Sequence, residues 1–164
     1  MNTIKLRPII TVEEKNTFVS EIQEAFQISY VSEFGEFEKQ VLPAEDIEES
    51  FNAKGAEAYI AEIDGERIGG AVIVIDDKTG YNSLHLLYVK SSAQNAGNGF
   101  KIWKAIEELH PETKIWETHT PYYDKRNIHF YVNRCGFKIV EFFNPKHKDP
   151  HQISETAGNI PKEN

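Results

Sequence analysis

The clearest chemical pattern in the sequence lies at positions 84–99. Leu84-His85-Leu86-Leu87-Tyr88-Val89 reads as a strand, Lys90-Ser91-Ser92-Ala93-Gln94-Asn95-Ala96 as a loop, and Gly97-Asn98-Gly99 as the entry to a helix. A chain that leaves a strand, turns through glycines and starts a helix displays unpaired backbone N–H groups at the positive end of the helix dipole. Such a turn binds anions, and glycine lets oxygen atoms approach the backbone closely. Two familiar nucleotide loops are excluded by spacing. Ile102 stands where the third glycine of G-x-G-x-x-G would fall, and no Gly-Lys-Ser/Thr follows.

A second chemical segment runs from Asp124 to Phe137. Ile128, Tyr131, Val132 and Cys135 recur at helical spacing, and Gly136 stands where a helix C-cap would be. Tyr131 places a phenol on the apolar stripe, where the residue pattern alone allows either core packing or a proton donor. Cys135 sits at the negative end of the dipole, which disfavours a thiolate, and reads as a core residue rather than a nucleophile.

Taken together, the two segments resemble the GNAT superfamily of N-acetyltransferases. Gln94, Gly97 and Gly99 match the Gln/Arg-x-x-Gly-x-Gly/Ala loop that in the family binds the pyrophosphate of coenzyme A. Phe130, Tyr131, Gly136 and Phe137 match the family's downstream segment, N-x-x-A-x-x-L/F-Y-x-K-x-G-F. Asp124 and Asn127 depart from it, standing where the family often has Asn and Ala, so a polar contact to coenzyme A falls to either Asn127 or Asp124. The resemblance covers most of the chain from Ala58 to Phe143.

It implies acetyl-CoA as acyl donor and direct transfer to a primary amine in a ternary complex. It also implies backbone contacts to the donor from Leu87, Tyr88 and Val89, with Gln94, Asn95, Ala96, Gly97, Asn98, Gly99, Asn127 and Tyr131 around the cofactor. Tyr131 would be the general acid, since a phenol with a pKa of roughly 10 suits protonation of a departing thiolate. Dimers are common in the family. A non-catalytic CoA-binding or regulatory module with the same fold is the alternative.

An amine must be neutral to attack a thioester, so a base is expected as well. His85 beside the loop and His119 at the end of the next strand are candidates, because an unperturbed imidazole titrates near pH 6.5. Glu33 or Glu117 would serve through a water. The histidines show no metal-type spacing, His-Glu-x-x-His is absent and cysteine occurs once, so no metal is expected.

These residues must be positioned by surrounding elements, and the periodicity supplies them. Strands are predicted at 3–9, 58–63, 67–75, 83–89, 114–118 and 137–143, and helices at 12–28, 44–51, 97–109 and 124–135. Thr11 is the expected N-cap of the first helix, and Asp64-Gly65-Glu66 the turn of a hairpin. The predicted fold is α/β: a single-domain GNAT-like mixed twisted sheet of about six strands flanked by about four helices. Residues 1–143 form the domain, and the polar stretch 144–164 reads as a surface arm or a disordered tail.

The bulk properties agree. A chain of 164 residues that is 40% hydrophobic is sized for one domain with a real core. A net charge of −8 opposes nucleic-acid binding, which calls for a basic face. No apolar run is long enough to cross a bilayer, and a single cysteine fits a reducing compartment, so a cytoplasmic location is expected. Between Tyr30 and Glu49 seven acids face one lysine, interleaved with Tyr30, Phe34 and Phe37. Tyr30, Glu33 and Phe34 are the candidate acceptor-binding residues, in a pocket whose acids would draw in a cationic amine.

Overall fold

A computed structural model describes residues 3–36, 38–94, 96–120 and 125–139. The chain divides into two compact units, Met1–His119 and Thr120–Asn164. The tail expected at 144–164 and most of the expected last strand lie outside the described residues.

In the first unit the order is β1 (Ile4–Pro8), α1 (Val12–Phe34), α2 (Ala44–Asn52), β2 (Ala56–Ile63), β3 (Glu66–Val74), β4 (Tyr81–Val89), α3 (Asn98–Leu109) and β5 (Ile115–Thr118). The sheet runs β1-β2-β3-β4-β5. Its first four strands form an antiparallel meander, and α3 carries the chain across to β5, which lies parallel to β4. This is the mixed α/β architecture the periodicity predicts, with five strands among the described residues. Phe137, Lys138 and Ile139, predicted to open a sixth strand, are not in one.

The first helix starts where expected. Thr11 accepts from the Glu14 N–H while Glu14 accepts from the backbone of Ile10 and Thr11, a complete capping box. It ends later than expected, because the apolar stripe stops at Ile28 but the helix continues to Phe34. The added turns carry the Tyr30–Phe34 ring pair and close where the Gly35 N–H bonds the Val31 carbonyl. Gln23 donates to the Leu42 carbonyl, and Gln27 donates to Lys39 and accepts from Val41. The connection to α2 therefore folds back along the middle of α1.

The two sheet faces are set by alternation along β3. A Cβ on Gly69 would point to Ile102 of α3, and one on Gly70 to Phe18 of α1. So α1 and α2 cover one face and α3 the other. On the α1 side Phe18, Ile22, Ala25 and Ile47 pack with Val72, Leu86 and Tyr88. On the other, Ile102, Trp103 and Ile106 are fully buried, and Trp103 meets Trp116 of β5 edge to face at 5.3 Å.

Helix α1 lies so close to the sheet that Gly70 has no room for a side chain. An added Cβ would stand 2.7 Å from the Tyr59 carbonyl oxygen and 2.8 Å from the Phe18 ring. Backbone on one side and a fully buried ring on the other cannot both give way. Gly70→Ala is expected to destabilise the protein by about 1–3 kcal/mol, read as a lower denaturant midpoint at unchanged slope.

Candidate functional site

The geometry begins with a bulge. Leu84 pairs with Ile73 and Leu86 with Val72, so His85 is an extra residue on β4 with no partner on β3. A bulge shifts the side-chain alternation by one and bends the strand. Leu86 and Tyr88 thereby join the α1 cluster. The pairing of β4 with β5 stops at Leu84, where Thr118 Oγ1 donates to the Leu84 carbonyl at 3.0 Å. From His85 to Val89 the strand pairs with β3 alone among the described residues. Its other edge, which holds the backbone groups of Leu87 and Val89, has no strand beside it among the described residues.

The chain then turns through a short 3-10 segment, Ser91–Ala93, into α3. Gly97, the N-cap, has φ +72°, a left-handed conformation that glycine adopts without strain. Asn98, only 8% exposed, turns its amide back across the loop and donates to the Ala93 carbonyl at 2.8 Å. Gln94 likewise folds back, its Nε2 donating to the Val89 carbonyl at 3.2 Å. Both side chains, expected to line an anion site, also brace the loop that would form it. The N-cap Gly97 offers no side chain to α3, whose first amides point out of the helix start. Ala96, Gly97 and Gly99 lie at this opening, and Asn95 is outside the described residues.

The candidate bases divide. His85 projects toward α2, with Nδ1 3.4 Å from Ser50 Oγ. His119, just beyond β5, is close enough for its charge to be felt at His85. Desolvation, and after it His119, holds the His85 imidazole below its ordinary pKa, while Glu49 pulls the other way. A lowered pKa leaves this ring neutral near pH 7, the state in which it accepts a proton. Glu33 is exposed in the last turn of α1, and Glu117 is exposed on β5.

The expected acceptor residues sit in helix rather than in a loop. Tyr30 and Phe34 are one turn apart at the end of α1, their rings 4.9 Å between centroids. Phe37 lies outside the described residues. Of the acids on α2, Glu48 is paired with Lys15 at 2.9 Å. Asp46 is raised by desolvation, then by Glu49 and Glu45.

The second unit holds Tyr131. Its helix α4 (Lys125–His129), which contains Asn127, passes into a π turn over Phe130–Arg134, where the Cys135 N–H reaches back to the Phe130 carbonyl. The sequence pattern predicts a plain α-helix here. A widened turn of this kind is uncommon and recurs at functional sites. Tyr131 is buried, with the Phe137 ring edge-on at 5.6 Å. Gly136 follows the turn with positive φ. Cys135, expected in the core, is half-buried.

The profile of the Acetyltransferase (GNAT) family matches residues 19–137, most of the chain. The chain belongs to the GNAT acetyltransferase family. The Bacillus subtilis (strain 168) protein YrkN is 50% identical over 135 residues, covering 82% of this chain and 73% of that protein. Solved structures share the fold at lower identity. An acetyltransferase from Bacillus subtilis in complex with CoA superposes with TM-score 0.62 at 19% identity, covering 94% of this chain and 90% of its own. A GNAT family acetyltransferase from Elizabethkingia anophelis with acetyl-CoA bound gives 0.63 at 17%, over 94% and 90%. The PaiA N-acetyltransferase of Thermoplasma acidophilum in complex with coenzyme A gives 0.62 at 16%, over 85% and 92%. Among the described residues no helix is long and apolar enough to cross a membrane, and no cluster of His, Cys, Asp and Glu has the arrangement of a metal site.

The electrostatics around His85 carry their own check. In an NMR titration its imidazole should have its midpoint below the ordinary value near 6.5. His119→Asn should move that midpoint up, and Glu49→Gln should move it further down. An unchanged midpoint in both variants would show that neither charge reaches the ring.

Proposed function

We propose that the protein is an acetyl-CoA-dependent N-acetyltransferase acting on a primary amine of a small molecule or peptide. The observation that carries this reading is the parting of β4 and β5 beyond Leu84, directly before a loop that opens α3 with no side-chain cap. A free strand edge offers backbone hydrogen bonds to an extended, amide-bearing donor arm. The helix start offers amides and a dipole to its pyrophosphate. Coenzyme A has both parts, in that order. The family membership and the CoA-bound structures that share the fold support the same donor.

In this reading the Leu87–Val89 backbone holds the arm and polarises the thioester carbonyl through an N–H. His85, kept neutral, takes a proton from the attacking ammonium, directly or through water. The amine nitrogen then bonds to the carbonyl carbon, the carbon–sulfur bond breaks, Tyr131 gives its proton to the thiolate, and the second proton shed by the nitrogen restores the Tyr131 phenol through solvent. No covalent enzyme intermediate is involved. Tyr30, Glu33 and Phe34, with the acids of α2, face the reaction as an acceptor wall. That composition favours a cationic amine such as a polyamine, an aminoglycoside or a lysine-like side chain.

A thiol-release assay with acetyl-CoA over a panel of amines tests the reading. Turnover is expected with cationic primary amines above neutral or anionic ones. Tyr131→Phe should lower kcat by about 100-fold or more with little change in the acetyl-CoA KM. The acidic limb of the kcat/KM profile should lie below pH 6.5, because a base with lowered pKa stays unprotonated further into acid. Binding of acetyl-CoA without turnover on any amine would instead favour a non-catalytic CoA-binding module.

A further inference from the structure

The carboxylate of Glu21 sits at a junction that the residue pattern does not reveal. It lies on α1, mostly buried, with its side chain 17% exposed. Arg67 of β3 grips it with two donors, Nε at 3.0 Å from Oε1 and Nη2 at 2.8 Å from Oε2. The Tyr88 hydroxyl donates to Oε1 at 2.7 Å. Lys90 Nζ stands 3.8 Å from Oε2. One turn further along α1, Glu24 accepts from the Ser91 hydroxyl at 2.8 Å. Burial works to raise the Glu21 carboxyl, but Arg67 and Tyr88 outweigh it and leave the group below the usual carboxylate range, so it is charged at neutral pH. Burial also raises the Tyr88 phenol, and its bond to Glu21 adds to that. The hydroxyl therefore stays protonated and donates.

Two features place this junction at the donor site rather than in the general core. Tyr88 is the residue between Leu87 and Val89, on the stretch of β4 that has lost β5. Its ring is 3% exposed and packs edge-on against Phe18 at 5.0 Å. Its side chain points to α1 while the strand's backbone groups lie in the sheet plane, so the grip steadies the edge without covering it. Lys90 and Ser91 begin the loop, and its remaining parts are tied in turn, Gln94 to Val89 and Asn98 to Ala93. From α1 to the start of α3 the loop is braced at each end by side-chain bonds, and the first of them converge on Glu21 and Glu24.

We propose that Glu21 is a positioning residue for the acyl donor. By holding Tyr88, Arg67 and Lys90 together it sets the free edge of β4 and the entry of the loop in the register that coenzyme A needs. It thereby couples the helix that walls the acceptor side to the donor site. The proposal rests on the donor reading above.

Calorimetric titration with coenzyme A tests it on four proteins: wild type, Tyr88→Phe, Glu21→Gln and Thr11→Ala. Tyr88→Phe removes one hydroxyl and keeps the ring packing. Thr11→Ala removes the α1 cap and destabilises the same unit without touching the junction. The expected result is a Kd weakened about 3- to 10-fold by Tyr88→Phe and by Glu21→Gln, less than the roughly 10-fold or more that a hydrogen bond to a charged group is worth, because the lost bond acts on the donor only through the strand. Thr11→Ala should lower Tm and leave Kd unchanged. Wild-type affinity in Tyr88→Phe overturns the proposal while leaving the donor reading intact. Equal weakening by Thr11→Ala also overturns it, because stability alone would then explain the loss. If Glu21→Gln fails to fold, Tyr88→Phe alone decides. Wild-type protein that binds no coenzyme A overturns the donor reading, and this proposal with it.

Discussion

The bulge at His85 is the constraint on which the rest of the site depends. One residue of β4 without a partner on β3 turns the alternation over between Leu84 and Leu86. Leu86 and Tyr88 then face α1 and help build the core beneath it. The bend also ends the parallel pairing at Leu84–Thr118, so the last part of β4 leaves its neighbour. A regular strand would have extended that ladder and satisfied the same backbone groups. The open edge, the exposed His85 ring and the grip on Tyr88 all follow from that one irregularity.

A strand edge with no neighbouring strand among the described residues needs support from elsewhere, and the α1 side supplies it. Apolar packing of Tyr88 on Phe18 gives the area, but packing is weakly directional. The Glu21 carboxylate adds direction, since a planar guanidinium and a phenol can meet it in few geometries. Exposed ion pairs contribute little, and Lys104 with Glu107 on α3 is one such pair. The Glu21 junction differs because it spans α1, β3 and β4 and takes in the hydroxyl of the buried Tyr88. Partly buried charges cost desolvation, and their attraction offsets that cost only where the geometry is close and the remaining donors and acceptors are bonded.

Much of this architecture was legible in the residue order. The hairpin at Asp64-Gly65, the Thr11 cap, the helix opening at Gly97 and the five strands came from local rules of period, turn and cap. The family segments at Gln94–Gly99 and Phe130–Phe137 were readable for the same reason: a loop that must start a helix and a helix that must stop at Gly136 need particular residues at fixed offsets. Local rules also misled. The apolar stripe of α1 ends at Ile28, yet the helix runs on to Phe34, its last turns carrying the Tyr30–Phe34 ring pair. The bracing bonds of Gln94 and Asn98 within the loop were not legible either, because they depend on how the loop folds back.

Sequence by itself determined which elements form and which loop opens a helix, because both depend on neighbours a few residues away. Tertiary structure alone decided that His85 would be a bulge facing α2 with His119 nearby, that Tyr131 would lie in a π turn, and that Glu21 would meet Tyr88 across 67 positions of chain. Strand register, the widening of a helical turn and the pairing of distant charges depend on what the fold brings together, and no short window of sequence contains both partners.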